Sequence, residues 1–107
     1  MARKSKFSDE FLQKLREMPL TKALDVLGVY WKQDSDYKPL RDKSSIRVNV
    51  TVKDVQSVEL LFTGIRWYDT RSKKGGGGAI DLAMYLFEVD FKEAVAMLSS
   101  GMSLSSW

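Results

Sequence analysis

At 107 residues, with 44% hydrophobic and 29% charged side chains, the chain is sized for one globular domain with a modest core, and is too short for a catalytic domain plus a regulatory one. It has neither cysteine nor histidine, which excludes disulfides, Cys/His zinc sites, Cys or Ser-His nucleophiles and histidine acid–base chemistry. The net charge of +3 is unevenly spread: residues 1–36 carry +1, residues 37–74 carry +5 and residues 75–107 carry −3.

Residues 1–6 are basic and expected to be a loose tail; no apolar run follows them, so they do not read as a secretory signal, and the expected location is the cytoplasm. Ser8, with Asp9 and Glu10 behind it, predicts a helix start, and Phe7, Phe11, Leu15 and Met18 share one face. Pro19 ends that helix and opens the next, whose Leu20, Ala23, Leu24 and Leu27 form a stripe closed by Gly28.

After Gly28 the period changes. Val29–Lys32 is strand-like, residues 33–36 form a turn, and Tyr37–Leu40 reads as an edge strand because Pro39 cannot serve a central one. Ile46, Val48, Val50 and Val52 alternate with Arg47, Asn49, Thr51 and Lys53, a half-buried strand with a polar, partly basic outer face. Val58–Phe62 is a further strand, Gly64 a turn. Ile65 and Trp67 then share one face of a strand, Arg66 and Tyr68 the other.

Next come a basic turn (Arg71, Lys73, Lys74) and four glycines, Gly75–Gly78, running straight into a helix. Two readings stand. Glycine N–H groups and the positive end of the helix dipole could cradle an anion beside those cations, or the glycines could be a flexible linker. No Gly-Lys-Ser/Thr follows, so it is not a Walker A loop. Asp81 could cap the helix or, with Asp69, hold a divalent cation.

Ala79–Phe87 is helical. Asp90 caps a last helix with Glu93 three positions on, Phe91, Ala94, Val95 and Leu98 form its buried stripe, and Gly101 is expected to stop it. Residues 102–107 are then a second loose tail unless Trp107 docks. The expected architecture is a single α+β domain over 1–107: a small antiparallel sheet of about four strands flanked by N-terminal and C-terminal helix pairs.

Gly77-Gly78-Ala79-Ile80-Asp81-Leu82 and Phe91-Lys92-Glu93-Ala94-Val95 resemble the glycine turn and following helices in the zinc-binding N-terminal domain of DnaG-type and plasmid or phage primases. Leu24-Asp25-Val26-Leu27-Gly28 resembles that family's first helix, so the likeness covers roughly residues 20–100. It implies a zinc-ribbon-like fold that engages single-stranded DNA. The positions matching the family's zinc ligands hold Lys38, Arg41, Asp69 and Ser72, so no zinc and no other cofactor is expected; a carboxylate at Asp69 facing Lys38 or Arg41 could join the two knuckles instead.

Single strands are held by basic grooves and by aromatic faces on which bases stack. The residues matching that need are Arg47, Lys53, Arg66, Tyr68, Arg71, Lys73 and Lys74, with Gly75 and Gly76 beside them; Tyr30 and Trp31 are nearby aromatics. Trp67 reads as core by its parity, and Tyr68 is open to either role. The expected function is non-enzymatic single-stranded DNA binding in primase-linked replication or transfer of a plasmid, phage or mobile element. The alternative is an adaptor that docks on a polymerase, primase or helicase through an apolar patch around Trp31 or Trp107. An enzyme ranks last, since the acidic metal cluster of nucleotidyl transfer is absent, and no membrane partner is expected.

Overall fold

The computed structural model describes residues 8–38, 44–52 and 56–105. Helix α1 (Asp9–Arg16) starts where Ser8 Oγ accepts the Phe11 N–H at 3.1 Å, with Asp9 and Glu10 at the positive end of its dipole and Lys14 and Arg16 at the negative end. Helix α2 (Leu20–Leu27) follows Pro19 directly. It ends on Gly28, whose φ of 76° a side chain would disfavour.

Five strands follow: β1 (Tyr30–Gln33), β2 (Ile46–Val52), β3 (Gln56–Thr63), β4 (Arg66–Asp69) and β5 (Lys74–Gly77), then α3 (Ala79–Phe87) and α4 (Phe91–Ser105). The strands form one antiparallel meander in chain order. The α+β class and the two flanking helix pairs are as the sequence implies.

The core is double. On the inner sheet face Val48, Val50, Val52, Leu60, Phe62 and Trp67 pack against Leu20, Leu24, Leu82 and Leu86. Behind that layer, Leu12, Leu15, Met18, Ala23, Ala79, Ile80, Ala83, Ala94, Val95 and Leu98 fill the space between helices. Helices α2 and α3 therefore bury two faces each, which explains why α3 is apolar nearly all round. Each buried Leu or Val is worth about 1.5–3 kcal/mol relative to exposure, so all the apolar alternation of β2 is directed to one side.

Several details depart from the sequence reading. The sheet has five strands rather than about four, because Lys74–Gly77 pairs with β4. Tyr37 and Lys38 lie in no strand, and Pro39 and Leu40 fall outside the described residues. Ile65 does not share a face with Trp67: Gly64 (φ 63°) and Ile65 form a two-residue hairpin loop, with glycine at the position where a type II′ turn demands it, and Ile65 is 40% exposed. Helix α4 passes through Gly101 to Ser105. A glycine inside a helix costs only about 1 kcal/mol against alanine, and the preceding turns are anchored by Ala94, Val95 and Leu98. Residues 1–7, with Phe7, and Trp107 lie outside the described residues.

Candidate nucleic-acid interface

Strand alternation puts one set of side chains on the helices and leaves the other on a sheet face that, among the described residues, no helix covers. Register identifies that outer face: Tyr30 stands opposite Thr51, Lys32 opposite Asn49, Arg47 opposite Leu61, Leu61 opposite Tyr68, Tyr68 opposite Gly75, and Arg66 opposite Thr63 and Gly77. Residues directly opposite in an antiparallel pair share a face. Tyr30 is 69% exposed and Tyr68 42% exposed.

At the β4–β5 end the face is hollowed. A groove of about 350 Å³ is lined by Leu61, Thr63, Arg66, Tyr68, Gly75 and Gly76. Gly75, opposite Tyr68, leaves the outer side of β5 without a side chain there. A Cβ at Gly75 would come within 2.9 Å of the Trp67 carbonyl and 3.0 Å of the Tyr68 ring; one at Gly76 would run into the Asp81 carboxylate and approach the Trp67 ring within 2.8 Å. The glycines thus let Tyr68 and Trp67 lie flat against β5, one on each face.

This overturns both the anion cradle and the linker. Gly75, Gly76 and Gly77 are strand residues opposite Tyr68, Trp67 and Arg66. The Gly77 N–H donates to Asp81 Oδ2 at 3.1 Å, and the Gly78 N–H donates to the Ile65 carbonyl at 2.7 Å. The Asp81 carboxylate already occupies the positive end of α3, so a phosphate there would meet a negative charge. Capping is its role; Asp69 faces elsewhere. Gly75 and Gly76 shape the groove floor instead.

The hairpin tip is organised by Asp69, 5% exposed and the one charged residue in the described core. Its Oδ1 accepts the N–H groups of Arg71 and Ser72 at 3.0 and 3.1 Å, its Oδ2 accepts the Tyr85 hydroxyl at 2.5 Å, and its carbonyl accepts the Lys73 N–H at 2.8 Å. Burial pushes this carboxyl up, but the Tyr85 hydroxyl and the two backbone N–H groups together outweigh it and hold it below the usual carboxylate range. Tyr85 is raised by burial and then by its hydrogen bond to the Asp69 carboxylate. Its ring packs on Trp67 with centroids 4.8 Å apart. The expectation that Asp69 faces Lys38 or Arg41 is corrected: its partners are the turn and α3, Lys38 is exposed, and Arg41 is outside the described residues. With both Asp69 oxygens so committed and a lysine and a serine beside it in the motif, the donors do not fit zinc.

The tip projects Arg71, Lys73 and Lys74, all exposed. Lys73 has φ 58°, a left-handed conformation better suited to glycine or asparagine. Arg66 continues the positive stripe onto the sheet. None of these four cations takes part in an ion pair among the described residues, which are Arg47–Asp34 and Arg47–Glu59. Arg47 lies on the outer face as its parity implies, but it is ion-paired: it donates through Nη2 at 2.5 Å and Nε at 2.9 Å to Asp34 Oδ2, approaches Glu59 at 3.4 Å and lies 5.0 Å from the centre of the Tyr37 ring. That bond to Arg47 holds Asp34 below its ordinary value. Lys53 lies outside the described residues.

The structure therefore brings Arg66, Tyr68, Gly75 and Gly76 together around one groove, and Arg71, Lys73 and Lys74 onto the adjoining tip. Two outward residues, Tyr30 and Lys32, join the same face without having been named as site residues; the alternation of Val29–Lys32 carried that signal. Trp31 is half-buried, its indole N–H donating to Asp25 Oδ1 at 2.8 Å, so it offers no free apolar patch.

No protein-family model matches the chain, and no solved structure matches it. The chain is similar to the "65 kDa protein" of Zymomonas mobilis, with 33% identity over 85 residues, 79% of this chain. It spans 12% of the length of that relative.

Proposed function

We propose that this domain holds single-stranded nucleic acid, DNA foremost, on its uncovered sheet face and basic hairpin tip. The observation that carries the reading is the junction of Tyr68 and Arg66 over a glycine-floored groove, with three exposed cations at the tip that take part in no ion pair among the described residues. Exposed aromatic faces stack bases without regard to sequence, and a line of cations follows the phosphates. The resemblance of the glycine stretch and last helices to primase zinc domains supports a role in replication or transfer of a plasmid, phage or mobile element, in the cytoplasm and without catalysis by this domain. No helix among the described residues is long and apolar enough to cross a membrane.

A second reading, an adaptor docking on a polymerase, primase or helicase, is favoured by the exposed Ile65 at the edge of a cleft of about 340 Å³ with Pro19, Leu20, Ile46 and Phe62. The two differ in salt response. In a fluorescence-anisotropy titration of a labelled single-stranded oligonucleotide, with duplex as competitor, the binder loses affinity steeply from low to physiological salt. Its log–log slope flattens by about 1–2 in Lys73→Ala/Lys74→Ala. Absence of binding at low salt removes the nucleic-acid reading and leaves the adaptor.

A further inference from the structure

We infer that Tyr30 is a second base-stacking platform, and that a single strand crosses the open face diagonally from Tyr68 to Tyr30. The inference rests on the nucleic-acid reading above and adds to it a path, an anchor and a length.

Tyr30 has no structural duty that accounts for its type. It is the most exposed large hydrophobic side chain described, at 69%, and stands on the edge strand opposite Thr51. The inward position beside it is Trp31, which does the packing and ties to Asp25. An aromatic ring left in solvent on an edge strand forgoes burial worth about 1.5–3 kcal/mol for a large apolar side chain.

The register gives the distance between the platforms. Tyr68 lies opposite Leu61, Leu61 opposite Arg47, and Tyr30 opposite Thr51, four residues further along β2. Four residues are about 13 Å and three strand spacings about 14 Å, so the rings stand on the order of 19 Å apart on the diagonal. That is five to six steps at the ~3.4 Å rise of a stacked strand, and fewer when bases splay onto side chains. Between the rings Leu61, Glu59, Asn49 and Lys32 face out; the Glu59 carboxylate is held by Arg47 and by the Thr70 hydroxyl, and Arg47 is neutralised by Asp34 and Glu59. Positive charge stands at both ends, with Arg66 beside Tyr68, Arg71 and Lys73 at the adjoining hairpin tip, and Lys32 near Tyr30; Lys74, opposite Asp69, lies toward the helix side of the tip. A purely apolar partner fits this pattern less well, because the two exposed rings sit apart on a polar face rather than in one apolar patch.

Length dependence tests the path. Labelled oligothymidylates of two, three, six and eight nucleotides are titrated against the unmodified protein, Tyr68→Ala, Tyr30→Ala and Tyr30→Phe. Tyr68→Ala weakens binding at every length, whereas Tyr30→Ala weakens it about tenfold or more for six and eight nucleotides, leaves two and three unchanged, and is rescued by Tyr30→Phe. Because Tyr30 is solvent-exposed, circular dichroism of Tyr30→Ala should match the unmodified protein. Unchanged affinity of Tyr30→Ala for the eight-mer, or an equal loss at all lengths, overturns the diagonal while the nucleic-acid reading stands; an unmodified protein that binds none of the oligonucleotides overturns both.

Discussion

Replacing Asp69 should loosen the hairpin that carries the basic tip. The carboxylate accepts two backbone N–H groups and the Tyr85 hydroxyl, all within 3.1 Å. A hydrogen bond to a charged group is worth about 1.5–3 kcal/mol, but Arg71 and Ser72 are exposed and their N–H groups can turn to water, so Asp69→Ala should cost about 3 kcal/mol rather than the full sum. For a domain this size that corresponds to a fall in Tm of about 12 °C or more. Asp69→Asn keeps an acceptor for the turn but sets an amide against the Tyr85 hydroxyl, and should cost about half as much. Tyr85→Phe removes one bond, and the double-mutant cycle with Asp69→Asn should show a coupling of about 1 kcal/mol. Acid gives a further check. The folded pKa of Asp69 lies below its unfolded value of about 3.9, so its contribution is complete above that value and is lost as pH falls through the folded pKa. The stability difference between the unmodified protein and Asp69→Asn should therefore shrink below about pH 4. Urea denaturation as a function of pH measures all of this. Equal destabilisation by Asn and Ala, no coupling to Tyr85, or a difference that persists to low pH would refute the account of the turn.

Gly76→Ala should lower stability by about 1–3 kcal/mol, because its Cβ collides with Asp81 and the Trp67 ring, while Gly77→Ala, whose Cβ meets only Arg66 Cγ at 4.0 Å, should be neutral or stabilising by up to about 1 kcal/mol; urea midpoints of the two variants decide it. Asp34→Asn should tighten binding to single-stranded oligonucleotides and steepen the salt dependence, because it frees much of the Arg47 charge; anisotropy at two salt concentrations reads it, and unchanged affinity would place Arg47 outside the bound strand's path.

Much of the fold was legible because it is written at short range. Ser8 and Asp90 announce helix starts through bonds made within three residues, Gly28 announces a stop through its own φ, and the strict alternation of Ile46–Val52 fixes which side of β2 is core. Trp67 is core as expected, though not through the face it was expected to share with Ile65, which lies exposed in the hairpin loop. The outward parity of Arg66 and Tyr68 was also legible in the sequence, and both are exposed.

What the tertiary structure decided is each feature whose cause lies far along the chain. Three glycines have no strand propensity of their own; β5 forms because β4 lies alongside to pair with it, and Asp81 and the Trp67 ring leave no room for a Cβ at Gly76. The partners of Arg47 could not be read from its surroundings in sequence, because its carboxylates come from a turn 13 residues away and from the neighbouring strand. Asp69 finds Tyr85 sixteen residues on. Which face of the sheet stays uncovered among the described residues depends on where α2 and α3 pack, and that choice puts Tyr30 and Tyr68, 38 positions apart in sequence, on one surface. Local patterns fix conformation through bonds within a turn of chain, whereas charge neutralisation, close approach and exposure are set by whatever the register brings opposite.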